Sequence, residues 1–161
     1  LLNKYSIGIE INNPGHQHGY TQFRLNQIIS LKKLLKFLIK KYDIKNHHIL
    51  GHSDIAPDRK KDPGEKFPLY YLFKKQIGYW HSLNKKMLLK KRNKKVDKKD
   101  KNIFMQNLYK IGYGRNLVNN KFSYMKILTT AFQRRFRQDL INGSIDEECL
   151  LISNNLIKKF K

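Results

Sequence analysis

His52, Lys60 and Asp62 fall within one stretch, GHSDIAPDRKKDPGEKFP at 51–68, which offers almost nothing to a hydrophobic core. Neutral imidazole and carboxylate are donors that suit Zn²⁺, and a catalytic zinc commonly takes three protein ligands and a water. A histidine and an aspartate ten residues apart could therefore share a metal. A plainer reading fits the same spacing: His52 only hydrogen-bonds the loop, and Asp54 or Asp62 caps a turn. Pro57, Pro63, Gly64 and Pro68 stiffen the stretch, and a stiff polar loop holds functional groups at fixed distances. Far upstream, Glu10 offers a second carboxylate.

The elements that must position these residues are readable in outline. Residues 5–11, YSIGIEI, alternate strictly, which predicts a half-buried strand with Ile7, Ile9 and Ile11 on one face and Glu10 on the open one. A turn-rich loop, NNPGHQHG, follows. From about Thr21 to Tyr42 the period is helical, with Ile28, Leu31, Leu35, Leu38 and Tyr42 on one stripe and lysines opposite. HHIL at 47–50 reads as a short strand leading into the loop, and 69–80 as a short amphipathic helix ending near Gly78. Strand, helix, strand, loop and helix make a piece of an α/β sheet domain over about 1–82.

Residues 85–101 hold ten Lys or Arg in seventeen positions. A block of like charge is usually solvated, so 83–102 reads as a basic linker. Beyond it three helical patterns over 103–161 set Leu128, Phe132 and Phe136 at four-residue steps, beside Tyr124 and Ala131. Ser144 or Asp146 can cap the last helix, whose apolar repeat takes in Leu150, Leu151, Ile157 and Phe160. Nothing in this part carries catalytic chemistry, and it reads as a binding module.

The 161 residues suffice for one ordinary domain or two small ones. The net charge of +22 invites a polyanion, but 27 of the 34 basic residues are lysine, whereas bidentate recognition of bases and phosphates favours arginine. Nucleic acid is thus an unlikely partner. A lone Cys149 excludes a disulfide within the chain, and no apolar run approaches the ~20 residues of a membrane span.

Taken as a string, SIGIE, NPG, GHSDIAPDRKKDPGEKFP and IGYW resemble the zinc-dependent N-acetylmuramoyl-L-alanine amidases of the type 2, AmpD/AmiD-like family. YKIGYG, AFQRRFR and NGSIDEEC resemble the peptidoglycan-binding domain appended to some members. The resemblance implies an incomplete mixed α/β amidase domain followed by a small three-helix peptidoglycan-binding domain. It implies Zn²⁺ held by His52 and Asp62, Glu10 as proton acceptor and donor, Lys60 beside the developing oxyanion, and peptidoglycan or muropeptides as partner. The expected location is the cell envelope. The family's remaining zinc ligand is a histidine on an earlier strand, and the chain opens, without methionine, past that point. His16, His18, His47 and His48 stand at other places in the pattern. The expectation is therefore an amidase whose front part is absent, with weak zinc binding and little hydrolysis from 1–161 alone. The alternative is an inactive, wall-binding remnant of a split or decaying gene. In the last segment Cys149 stands where the family usually shows threonine.

Overall fold

The computed structural model describes residues 4–114 and 121–159. Leucines and isoleucines returning every three to four positions form α1, Leu25–Tyr42, and bury Ile28 and Leu31, with Leu35 and Ile39 packed alongside. The Arg24 amide donates to the Gln27 side chain at 2.9 Å, which satisfies one of the free donors at the helix start. Asp43, at φ 48°, turns the chain out at the other end.

The expected mixed α/β sheet does not form. No segment of the described residues is a β-strand, and Lys95 and Asp146 meet in an isolated antiparallel bridge. Alternation specifies which side chains share a face, but a strand also needs a neighbouring backbone with which to exchange hydrogen bonds. Around 5–11 only the packing half of that requirement is met: Ile9 and Ile11 lie against the α1 core, Ile7 is 51% exposed, and Glu10 faces solvent. In place of the second strand stands a 3-10 turn, Asn46–His48. Its His48 amide donates to the Lys45 carbonyl at 2.9 Å, and its Asn46 side chain accepts from the Gly78 amide at 3.1 Å.

The loop begins with a single helical turn, α2, His52–Ile55. α3, Leu69–Lys74, is shorter than its pattern suggests, because Gln76 at φ 66° and Gly78 at φ 78° turn the chain before the helix can continue. The lysine-rich segment is not wholly extended into solvent. It forms α4, Lys85–Lys91, capped by Asn84, which accepts from the Lys86 and Met87 amides. Leu88 is buried, and Arg92 donates to both carboxylate oxygens of Glu148 at 2.6 and 2.9 Å. An apolar Met-Leu-Leu within the lysines, and acids at the start of the last helix, give the charge block something to dock against.

α5, Lys98–Ile111, α6, Lys121–Phe136, and α7, Glu147–Ile157, build the larger core around Phe104, Leu108, Leu128, Phe132, Ile152 and Leu156. Asp97 caps α5 and Asp146 caps α7, accepting from the Asp100 and Cys149 amides at 2.7 and 2.9 Å. Gly112, at φ 113°, ends α5 in the left-handed region that favours glycine. Phe160, part of the expected apolar repeat, lies outside the described residues. A smaller core gathers Ile28, Leu31, Phe67, Leu72 and Ile77. Leu69 packs against both cores, and Trp80 belongs to the larger one.

Candidate active site

Three bonds fold the loop back on itself. The Gly51 amide donates to Asp54 Oδ2 at 2.8 Å, the Ala56 amide to the His52 carbonyl at 2.9 Å, and the Ser53 amide to the Asp62 carbonyl at 2.8 Å. The last of these draws the far limb of the loop against α2. A Cβ on Gly51 would lie 2.7 Å from the Pro63 ring, so the approach of the limbs requires glycine although its φ of −85° is ordinary. As a result His52 Nδ1 and Asp62 Oδ2 stand 2.9 Å apart. They are 44% and 61% exposed, so a nitrogen and an oxygen donor meet at the solvent side of a loop anchored from behind.

Lys60 continues this loop, its amide donating to the Ala56 carbonyl at 2.9 Å. It borders an open hollow of about 360 Å³ with Arg59, Lys61, Lys126, Thr130 and Arg134 among its walls. Glu10 borders a different hollow, against Gln27, Ser30, Leu31 and Leu34 of α1. The structure thus brings His52 and Asp62 together, and sets Glu10 and Lys60 on two hollows that neither of those residues lines. Among the described residues, no group of three or more His, Cys, Asp or Glu is placed to hold a metal ion. His16 is engaged elsewhere: it stacks on Tyr20 with ring centres 4.3 Å apart and meets Glu65 at 3.1 Å.

The second limb has its own braces. The Tyr20 hydroxyl donates to the Pro63 carbonyl at 2.7 Å and accepts from the Lys66 amide at 2.9 Å. Burial pushes that phenol up to about 12, so it remains a neutral donor. Burial would raise the Glu65 carboxyl as well, but its own backbone amide, His16 and Arg134 outweigh that and hold it below the usual carboxylate range.

The turn-capping role that spacing suggests for Asp54 leaves out its principal partners. Its carboxylate is 7% exposed and pairs with Arg135, 3% exposed, on α6. The Tyr113 hydroxyl donates to its other oxygen at 3.0 Å. Arg135 also donates to the Ile49 carbonyl at 3.0 Å, and Gln138 to the Phe67 carbonyl at 2.8 Å. Burial disfavours the charged guanidinium, but Asp54 outweighs it, and Arg135 stays firmly protonated.

Residues 1–65 match the sequence family described as N-acetylmuramoyl-L-alanine amidase, a stretch that takes in His52, Lys60, Asp62 and Glu10. Over 164 aligned residues and 99% of its length, the chain is 32% identical to the N-acetylmuramoyl-L-alanine amidase AmiD of Escherichia coli K12, of which it spans 59%. The solved structure of AmiD, in complex with anhydro-N-acetylmuramic acid-L-Ala-D-gamma-Glu-L-Lys, superposes on 88% of this chain and 55% of its own with a TM-score of 0.77. AmpDh3 of Pseudomonas aeruginosa is 28% identical, with a TM-score of 0.73 over 88% of this chain and 56% of its own. The 1,6-anhydro-N-acetylmuramyl-L-alanine amidase AmpD of Haemophilus influenzae is 39% identical over 66 residues, 40% of this chain and 34% of that protein. The chain therefore spans a little over half of AmiD, and is similar to it in sequence over 99% of its length and in fold over 88%.

Proposed function

We propose that the chain carries part of a zinc-dependent N-acetylmuramoyl-L-alanine amidase site, directed at the amide between the lactyl group of N-acetylmuramic acid and L-alanine in peptidoglycan or muropeptides. The observation that carries the reading is the meeting of His52 Nδ1 and Asp62 Oδ2 at 2.9 Å on the loop that falls within the family match. The AmiD complex supports the substrate class, because the ligand in that structure contains the N-acetylmuramic acid–L-Ala linkage.

The donor chemistry fits zinc: one imidazole nitrogen and one carboxylate oxygen, both open to solvent, supply two of the three protein ligands a catalytic zinc usually takes. Zinc bound there would polarise the scissile carbonyl and acidify a water. Glu10 takes the proton of the attacking water and returns it to the leaving amine. Lys60 places positive charge where the tetrahedral oxyanion develops. These two roles rest on the resemblance. The helical part, 103–161, serves as the peptidoglycan-binding unit, and the exposed lysines of α4 add a salt-sensitive attraction to the wall's carboxylates. The cell envelope is where such a substrate lies. Among the described residues no helix is long and apolar enough to cross a membrane.

One preparation assayed three ways tests the reading: zinc uptake, release of stem peptides from muropeptides with zinc added, and sedimentation with purified sacculi at low and high salt. His52→Ala and Asp62→Ala should each weaken zinc uptake, and Glu10→Gln, placed in a full-length enzyme that releases stem peptides, should slow release by about 10²-fold or more with zinc still bound. Zinc uptake indifferent to both ligand variants would remove the proposed site. Adhesion to sacculi without any release would favour the wall-binding reading instead.

A further inference from the structure

α6 packs against the loop, and its Arg135 ends on loop groups. Through Nη1 Arg135 donates to Asp54 Oδ2, and through Nη2 to the Ile49 carbonyl at 3.0 Å. Ile49 stands three residues before His52 and Asp54 two residues after it, so one guanidinium clamps both ends of the segment that carries the histidine. Tyr113, just beyond α5, takes the remaining oxygen of Asp54 at 3.0 Å. Both Arg135 and Asp54 are almost wholly buried, so water cannot stand in for either partner. A four-residue helix cannot hold its own shape, because nucleation of a single turn is unfavourable. Without the clamp the segment relies on short-range bonds, those of the Ile49, Gly51, Ser53, Asp54 and Ala56 amides and the exposed His52–Asp62 contact.

We propose that Arg135, Asp54 and Tyr113 are positioning residues: α5 and α6 set where His52 stands relative to Asp62, and through that the strength of metal binding at the loop. This rests on the reading of His52 and Asp62 as zinc donors. It extends that reading by making the helical part a working component of the site as well as a wall-binding unit. Outer partners that orient a ligand typically alter metal affinity by about 10- to 100-fold.

The test uses the full chain with Tyr113→Phe, which removes one hydrogen bond at constant shape, and Arg135→Gln, which removes the clamp. Zinc affinity is read by competition with a chromogenic chelator, and amide exchange is read on the zinc-free protein, both well below the unfolding temperature with helix content verified. Tyr113→Phe should speed exchange at Gly51, Asp54 and Ala56 about three- to tenfold and weaken zinc by a similar factor. Arg135→Gln should do more of both, with the α7 amides still protected as in the parent. Loop amides that exchange at the parent rate in both variants would overturn the proposal. So would a loss of protection spread evenly across α5, α6 and α7, since that is the mark of general destabilisation. His52→Ala separates the two readings: if zinc affinity ignores that change the donor assignment fails, and the exchange data alone decide whether Arg135 positions the segment.

Discussion

Arg137, with no exposed side-chain surface, donates to Asp146, the residue that caps α7. Glu148 Oε2 lies within 3.5 Å of the same guanidinium nitrogen and also accepts from Arg92. Two arginines and two acids thus lock α4 and the end of α6 to the first turn of α7. Burial alone would raise the Asp146 carboxyl, but the Cys149 and Asn93 amides and Arg137 outweigh it and lower it below the usual carboxylate range.

The sign of the pH dependence follows from that direction. A carboxyl depressed on folding contributes stability that is fully present above its unfolded value, near 3.9, and lost as pH falls through its lower folded value. Asp146→Asn should cost about 3–5 kcal/mol at neutral pH, because it leaves Arg137 buried and underpaired. Urea unfolding at stepped pH should show the parent and the variant converging below about pH 4. A difference that persists undiminished at pH 2 would assign the loss to packing.

The Arg135–Asp54 pair should behave as a buried unit. Arg135→Met and Asp54→Ala each leave one charge without its partner and should cost about 3–5 kcal/mol. The double variant should cost clearly less than their sum, a coupling that a double-mutant cycle in urea measures directly.

Gly51→Ala probes the approach of the loop's limbs at a φ of −85° that alanine also adopts. The added methyl meets the Pro63 ring at 2.7 Å, and overpacking of this kind typically costs about 1–3 kcal/mol. Zinc affinity should fall with it, by about tenfold, because His52 and Asp62 are carried by the two limbs that must part. Chelator competition beside a urea titration separates the two effects.

Cys149 is wholly buried in the larger core, and burial pushes its thiol up to about 12. It should resist thiol reagents in the native state and react only as the core opens, at a rate that rises steeply with urea. Rapid stoichiometric labelling without denaturant would show that α6 and α7 part easily.

The parts of this structure legible in the sequence are those whose signal is local. Apolar residues at helical spacing marked α1 and α6, and a run of turn-formers marked the loop whose histidine and aspartate meet. The sheet was misread because alternation around Ile9 and Ile11 shows a packed face and says nothing of a partner strand. In the lysine-rich segment the charge pattern shows neither the burial of Leu88 nor the acids that Arg92 meets. The Asp54–Arg135 pair spans 81 positions, and no local pattern records a contact of that range. One sign of it was present: Arg135 follows Leu128 by seven and Ala131 by four, so a cation sits on the apolar stripe of α6. Such a residue needs a buried anion.

Trp80, the chain's single tryptophan, is 7% exposed within the larger core. Its ring lies 5.5 Å from those of Phe136 on α6 and Tyr70 on α3, and Lys159 holds its carbonyl at 2.7 Å. The molecule therefore carries a built-in optical gauge between α3 and α6. Its intrinsic fluorescence comes chiefly from one indole that stays dry only while α6 remains seated. A red shift of the emission reports separation of the halves before any helix is lost from the far-ultraviolet dichroism.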